Sequence, residues 1–315
     1  MTAASSPPPG TARTGAAAGG SIYDLGYQRY DGPRLGRLAA AGALLGQTLR
    51  AAYGIGRGGK AKVIPFGLLV LAVLPALLAV GIAALISQAG PAGNGLENAS
   101  PISHATYHGL TATLVMLFCA AQASELFGRD QRYGVLPLFF SRAITRIDYA
   151  LARVGGLFLA LFAITMLPQL VLTVGSVLAA SDPVTGVVEE AADVPRYLLQ
   201  SALTAGLLAG VASVIAAWTP RRAYATAAII AVFIIPPIIV TLVARLGVGD
   251  LAQLLVLASP ADILDGTNAA IFGSVPDSPA VAAINLPGWA YVAAALGGIG
   301  ASIALVVRRY LRVSA

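Results

Sequence analysis

The sequence predicts an all-α membrane protein that crosses the bilayer six times, and three observations carry that prediction. The first is length. Apolar stretches at 63–87, 105–124, 154–178, 198–218, 223–246 and 288–308 hold no Lys, Arg, Asp or Glu in their central regions, and each reaches about the 20 residues that a hydrocarbon core requires. The second is composition. The chain is 57% hydrophobic and 11% charged, with a mean hydropathy of +0.79, whereas a soluble domain carries about 25% charged residues. The third is charge placement. Eighteen of the twenty Lys and Arg residues fall in 1–62, 129–153, 221–222 and 308–312, while 88–105 and 247–286 contain none and 179–197 only Arg196. Cytoplasmic loops retain Lys and Arg, so this alternation predicts six crossings with both termini in the cytoplasm. Helices are expected because lipid satisfies no backbone group, and the apolar runs are too long and too weakly alternating for barrel strands.

The elements follow in order. Residues 1–22 are mostly Ala, Gly, Ser, Thr and Pro. They lack an apolar signal region and predict a disordered cytoplasmic tail. Residues 23–62 form an interfacial segment. Within it, 33–53 reads as a helix with Leu35, Leu38, Leu45 and Leu49 toward one side and Arg34, Arg37 and Arg50 available to lipid phosphates. Residues 54–60, GIGRGGK, have the spacing of a phosphate loop. The segment before them looks helical, and Ala61 replaces the Ser or Thr that would hold magnesium. A flexible basic hinge is the better reading, and no nucleotide site is expected in this chain.

Pro75, Pro168, Pro236 and Pro237 sit within spans, where each removes a backbone hydrogen bond. They shape helices, and Pro168, Pro236 and Pro237 together with Gln169 are candidates for a bent cargo path. Gly206 and Gly210 in the fourth span and Gly297, Gly298, Gly300 and Ala301 in the sixth permit close helix approach, with no partner specified. Residues 125–153 are a basic segment with an apolar centre from Leu136 to Phe140. Apolar aromatics in a basic frame suggest a docking surface, with a membrane-surface helix as the alternative. Residues 248–272 are too polar and broken for a seventh span and predict an interfacial or re-entrant helix pair.

Few groups here can do chemistry. Cys119 is the one cysteine, so no disulfide or CxxC site exists in the sequence. His104 and His108 are spaced to share a metal, but no third ligand completes a site, and an interfacial or cavity-lining role is expected. No Ser/His/Asp set or intramembrane carboxylate pair appears, which counts against an ion-driven carrier. Gln169, Gln200, Thr204, Ser213 and Thr241 are the polar groups within spans. Each is expected to bond a neighbouring helix, with a weakly polar cavity as the alternative. The net charge of +6 flanks the spans and builds no continuous patch, so it signals topology and headgroup contact, not nucleic acid.

These features together resemble the permease subunits of ABC type-2 transporters, a family that includes many drug, sodium and polysaccharide exporters. The resemblance covers about residues 23–312. It rests on a basic interfacial helix before span one, six spans, a helix between spans two and three, and a broken outer segment between spans five and six. Glu125, Gly134, Leu136, Leu138, Ser141, Arg142 and Arg146 match the family's loop pattern. The N-terminal YDLGYQRYDGPRLGR resembles permeases from high-GC bacteria. Pro137, Ala143 and the pair Ala152-Arg153 depart from that pattern.

The resemblance implies a non-enzymatic permease subunit in a bacterial cytoplasmic (inner) membrane, pairing with a second permease copy or a paralogue. Two copies of a separate ATPase would hold the ATP and magnesium; no cofactor is expected in this chain. Residues 63–312 would be the permease domain and 129–146 the coupling loop. Leu136, Phe139, Phe140, Arg142 and Arg146 are expected at the ATPase contact, and Glu125 to fix the loop's exit angle. A hydrophobic or amphipathic cargo fits the aliphatic spans. The alternative is a membrane scaffold or assembly factor that recruits a cytoplasmic partner through the same loop.

Overall fold

A computed structural model describes residues 32, 35–88, 102–141, 144–180 and 183–312. The expected tail at 1–22 and most of the segment at 23–34 lie outside these. Among the described residues the regular structure is all helix, with no strand, and six helices are long and apolar enough to cross a membrane. The elements are α1 (Gly36–Ala52), α2 (Lys60–Gln88), α3 (His104–Arg132), α4 (Leu136–Phe140), α5 (Arg146–Ala179), α6 (Pro183–Trp218), α7 (Arg222–Arg245), α8 (Gly249–Val256), α9 (Pro260–Phe272), α10 (Pro279–Ile284) and α11 (Gly288–Leu311). The spans are α2, α3, α5, α6, α7 and α11.

The spans outrun the apolar stretches because helix propensity and capping continue past the membrane-compatible window. The fourth is the clearest case. Residues 183–197, expected as part of an outer loop, are the first turns of α6. Charged residues end an apolar window without ending a helix. At the basic end, α3 runs on to Arg132. There α5 starts at Arg146 behind a Thr145/Asp148 capping box, in which each side chain satisfies an end-of-helix donor. The expected near-30-residue loop at 125–153 therefore shrinks to 133–145, with α4 at its centre.

The core is built by α3, α5 and α6, with α1, α7, α9 and α11 around them. In their most apolar stretches α3 and α6 are 61% and 67% buried, against 17% for α2 and for α7 and 22% for α11. The outer three thus present aliphatic faces that suit lipid or a second chain. The α6 glycines face α11. A Cβ on Gly206 would sit 2.8 Å from Ile299 Cδ1, and one on Gly210 would sit 2.9 Å from Ser302 Cβ. Of the α11 glycines, Gly298 meets Leu207, while Gly297 and Gly300 face open space.

The segment at 54–60 is a turn run leading into α2, with Gly54 and Gly56 at positive φ. Gly54 cannot be replaced, because a Cβ there would meet the Ala61 carbonyl oxygen at 2.5 Å. The element before it is the helix α1 and the residue at its end is followed by Ala61. After span five, α8 and α9 meet at 88°, the bend of a broken span or of a re-entrant loop. The prolines at 75, 168, 236 and 237 lie inside unbroken helices.

Candidate functional site

The basic end of the bundle gathers most of the expected coupling residues. Asp130 on α3 and Arg153 on α5 form a buried ion pair. Tyr149 donates its hydroxyl to Asp130 at 2.6 Å, and Arg153 donates to Thr48 of α1 at 3.2 Å. The guanidinium lies over the Tyr149 and Phe139 rings, 5.4 and 5.8 Å from their centroids. Phe140 also meets Tyr149 edge-on, and Tyr310 of α11 packs on the same ring. One desolvated charge pair thereby joins α1, α3, α4, α5 and α11. A carboxylate at such depth needs both its cation and its hydroxyl donor.

Around this knot the individual residues divide. Leu136 is buried, and Phe139 and Phe140 are half-buried. Their rings pack inward on Tyr149. Leu138 and Tyr133, 67% and 70% exposed, are the large apolar groups that face outward. Arg146 stacks over Phe140 at 5.6 Å and donates to the Leu311 carbonyl at 3.0 Å, tying α4 and α5 to the end of α11. Arg142 lies outside the described residues. Glu125 accepts from Arg57 before α2 at 3.1 Å and pairs with Arg222 at the start of α7 at 3.2 Å. It clamps three elements where the cleft between α1, α3 and α4 opens. That cleft has a volume of about 890 Å³ and is lined by Arg57, Glu125, Arg129, Tyr133, Leu138 and Phe139 among others. Tyr53, after α1, donates to the Ala160 carbonyl of α5 at 2.8 Å, and burial pushes its phenol up to about 12.

At the opposite end Gln169 is buried. Its Oε1 lies 2.6 Å from His104 Nδ1 and its Nε2 donates to the His104 carbonyl. His104 also meets Glu190 at 3.2 Å and stacks on Tyr197. The two histidines diverge, because His108 turns toward Gln200 and Asp277. Gln169, Gln200 and Thr204 line a single cavity of about 220 Å³ between α3, α5, α6, α7 and α9. Gln169 and Gln200 thus both bond a neighbouring helix and border a cavity, Thr204 only borders it, and the Ser213 hydroxyl is buried without a hydrogen-bond partner. Pro237 lines a separate open groove with Thr241 and Arg245.

Sequence reasoning missed Asp130, Tyr149, Arg153, Arg57 and Arg222. One signal was present: Asp130 is the only acid between Glu125 and Asp148 in a basic segment. Nothing in the spacing pairs it with an arginine 23 residues later. No family model matches this chain, and no curated protein matches it.

Proposed function

We propose that this chain is the membrane-spanning permease subunit of an ATP-driven ABC transporter of the type-2 exporter family. A separate ATPase would dock on its basic end, and a second permease copy or paralogue would complete the path. The observation that carries this reading is the α4 assembly. A five-residue helix leaves Leu138 exposed while its aromatic pair is packed onto a buried charge knot shared by four other helices. A push on α4 would reach α3 and α5 through Tyr149 and Arg153, α11 through Tyr310 and Arg146, and α1 through Thr48. Because packed cores are bistable more than they are compliant, such a push would tilt whole spans. ATP and magnesium would belong to the partner, which supplies the free energy. The cargo would be a hydrophobic or amphipathic compound, leaving between the two permease halves. The membrane would be the bacterial cytoplasmic membrane, with both termini inside.

The experiment is co-purification of the tagged chain with its genomic neighbours in mild detergent, as wild type and as Leu138→Asp. Wild type is expected to bring down a vanadate-sensitive ATPase. Leu138→Asp is expected to lose it by at least about thirtyfold, the factor for an interface anchor of about 2 kcal/mol, with an unchanged melting temperature. A wild-type chain that comes down without an ATPase would overturn the proposal. Phe139→Ala with Phe140→Ala is a poorer test, because those rings also support the fold.

A further inference from the structure

We infer that the groove between α3, α7, α9 and the start of α10 is a binding site for a zwitterionic phospholipid with a primary ammonium, phosphatidylethanolamine. This goes beyond the permease proposal and does not depend on it, since the groove lies within a single chain and needs no ATPase.

One charge is out of place. Arg196 and Arg245 are the only Lys or Arg residues outside the four basic segments. Arg196 pairs with Asp193 at 2.6 Å. Arg245, exposed in the last turn of α7, has no ion-pair or hydrogen-bond partner among the described residues. It borders a groove of about 630 Å³. The same lining holds a second charge without a hydrogen-bond or ion-pair partner among the described residues, the exposed Asp277 carboxylate. A built turn delivers it there. Asp265 on α9 accepts the Asp277 and Ser278 backbone N–H groups, each at 3.0 Å, and Asp262 accepts the Ser278 hydroxyl at 2.7 Å. Both of these carboxylates are buried and hold the turn. Gly109 of α3 completes the seat: a Cβ there would overlap Asp277 Oδ2, so a residue without a Cβ lets the carboxylate lie against α3.

Charge and walls together select the ligand. Three carboxylates and one guanidinium border the groove, so a purely anionic headgroup is disfavoured and a purely cationic one leaves Arg245 unpaired. A headgroup with an anion for Arg245 and a cation for Asp277 satisfies both. Arg245 suits a phosphate, which a guanidinium can grip with two parallel bonds. A carboxylate only accepts hydrogen bonds; a primary ammonium brings three donors, and a quaternary one brings none. His108 also borders the groove but turns to Gln200. The floor is apolar, formed by Ala112 of α3 with Pro237, Ile238 and Leu242 of α7. From Pro237 to Arg245 is about 12 Å of helix, so the floor runs from the helix end into the span. Ala112, Ile238 and Leu242 are exposed, and α7 is only 17% buried in its most apolar stretch. The groove therefore opens sideways, and acyl chains continue along α7 into the bilayer.

The test is native mass spectrometry of the full-length chain in detergent, titrated with phosphatidylethanolamine, phosphatidylcholine or phosphatidylglycerol of identical acyl chains. Wild type should bind its first phosphatidylethanolamine about tenfold more tightly than either other lipid, the factor for one hydrogen bond to a charged group. Asp277→Asn should bind phosphatidylethanolamine about tenfold more weakly and lose the preference over phosphatidylcholine. Arg245→Gln should weaken both of these lipids alike, because they share the phosphate. Ile238→Trp, which fills the exposed floor, should lose the tight site with both charges intact. Equal affinity for phosphatidylethanolamine and phosphatidylcholine in wild type would overturn the inference even if no variant folds. So would a folded Asp277→Asn chain that keeps the preference. A groove covered by a second copy, seen as Ile238→Cys cross-linking between chains with no lipid retained, would overturn it as well.

Discussion

Replacing Arg153 by Met should be among the most damaging single changes at the basic end, and the structure sets its size. Arg153 and Asp130 are 4% and 8% exposed. Truncating the cation leaves a buried carboxylate with only the Tyr149 hydroxyl to hold it, a situation that costs about 3–5 kcal/mol. Loss of the cation–π contacts to Tyr149 and Phe139 adds about 0.5–1 kcal/mol each. A loss of about 5 kcal/mol is therefore expected for Arg153→Met. Asp130→Leu should cost about 3–5 kcal/mol for the mirror reason. The double variant should cost much less than their sum, because an apolar pair of similar volume removes both desolvation penalties. The expected coupling is about 3 kcal/mol or more. The assay is equilibrium unfolding by SDS titration in mixed micelles, followed by the fluorescence of Trp218 and Trp289, with all four corners of the double-mutant cycle. Polar pairs between membrane helices average about 0.6 kcal/mol of coupling. A coupling at or below that value would refute the claim that this pair is a desolvated knot binding the helices together.

Three further outcomes follow from the same packing. Glu125→Ala should leave Arg57 and Arg222 facing each other and cost about 1 kcal/mol, a modest figure because Arg222 is half exposed. The cost should shrink in 1 M salt, and a melting temperature unaffected at low salt would count against the clamp. Gly156→Leu should loosen α1, since a Cβ there would meet Thr48 Cβ at 2.5 Å and the Leu45 carbonyl at 3.1 Å. A loss of about 1–3 kcal/mol with faster proteolysis at 53–59 is expected, and unchanged proteolysis would show that α1 docks otherwise. Cysteines placed at Arg57 and at Val188, which is exposed in the first turns of α6, should react with an impermeant maleimide from opposite faces of sealed vesicles. Native Cys119 is fully buried and should stay silent. Labelling from one face would break the six-crossing alternation.

The parts of this protein that were legible in its sequence are those governed by the solvent. Lipid demands about 20 apolar residues per crossing and repels fixed charge, so six helices long and apolar enough to span could be read without coordinates, as could the broken segment after the fifth. Helix ends were less legible. The apolar window closes where charge begins, whereas α6 starts at Pro183 and α3 continues to Arg132, because a helix needs no apolar residues beyond the membrane. The partner of the Gly206/Gly210 face was undetermined by one helix alone and is α11. The aromatic pair of α4 looked like an outward docking surface, but Tyr149 and Arg153 draw both rings inward and leave Leu138 outside. Gln169 and Gln200, 31 residues apart in sequence, border one cavity only because α5 and α6 lie side by side. Hydrophobic length and charge are additive along the chain and can be counted. Which buried charge meets which, and what space is left between helices, are properties of pairs far apart in sequence, and only tertiary packing decides them.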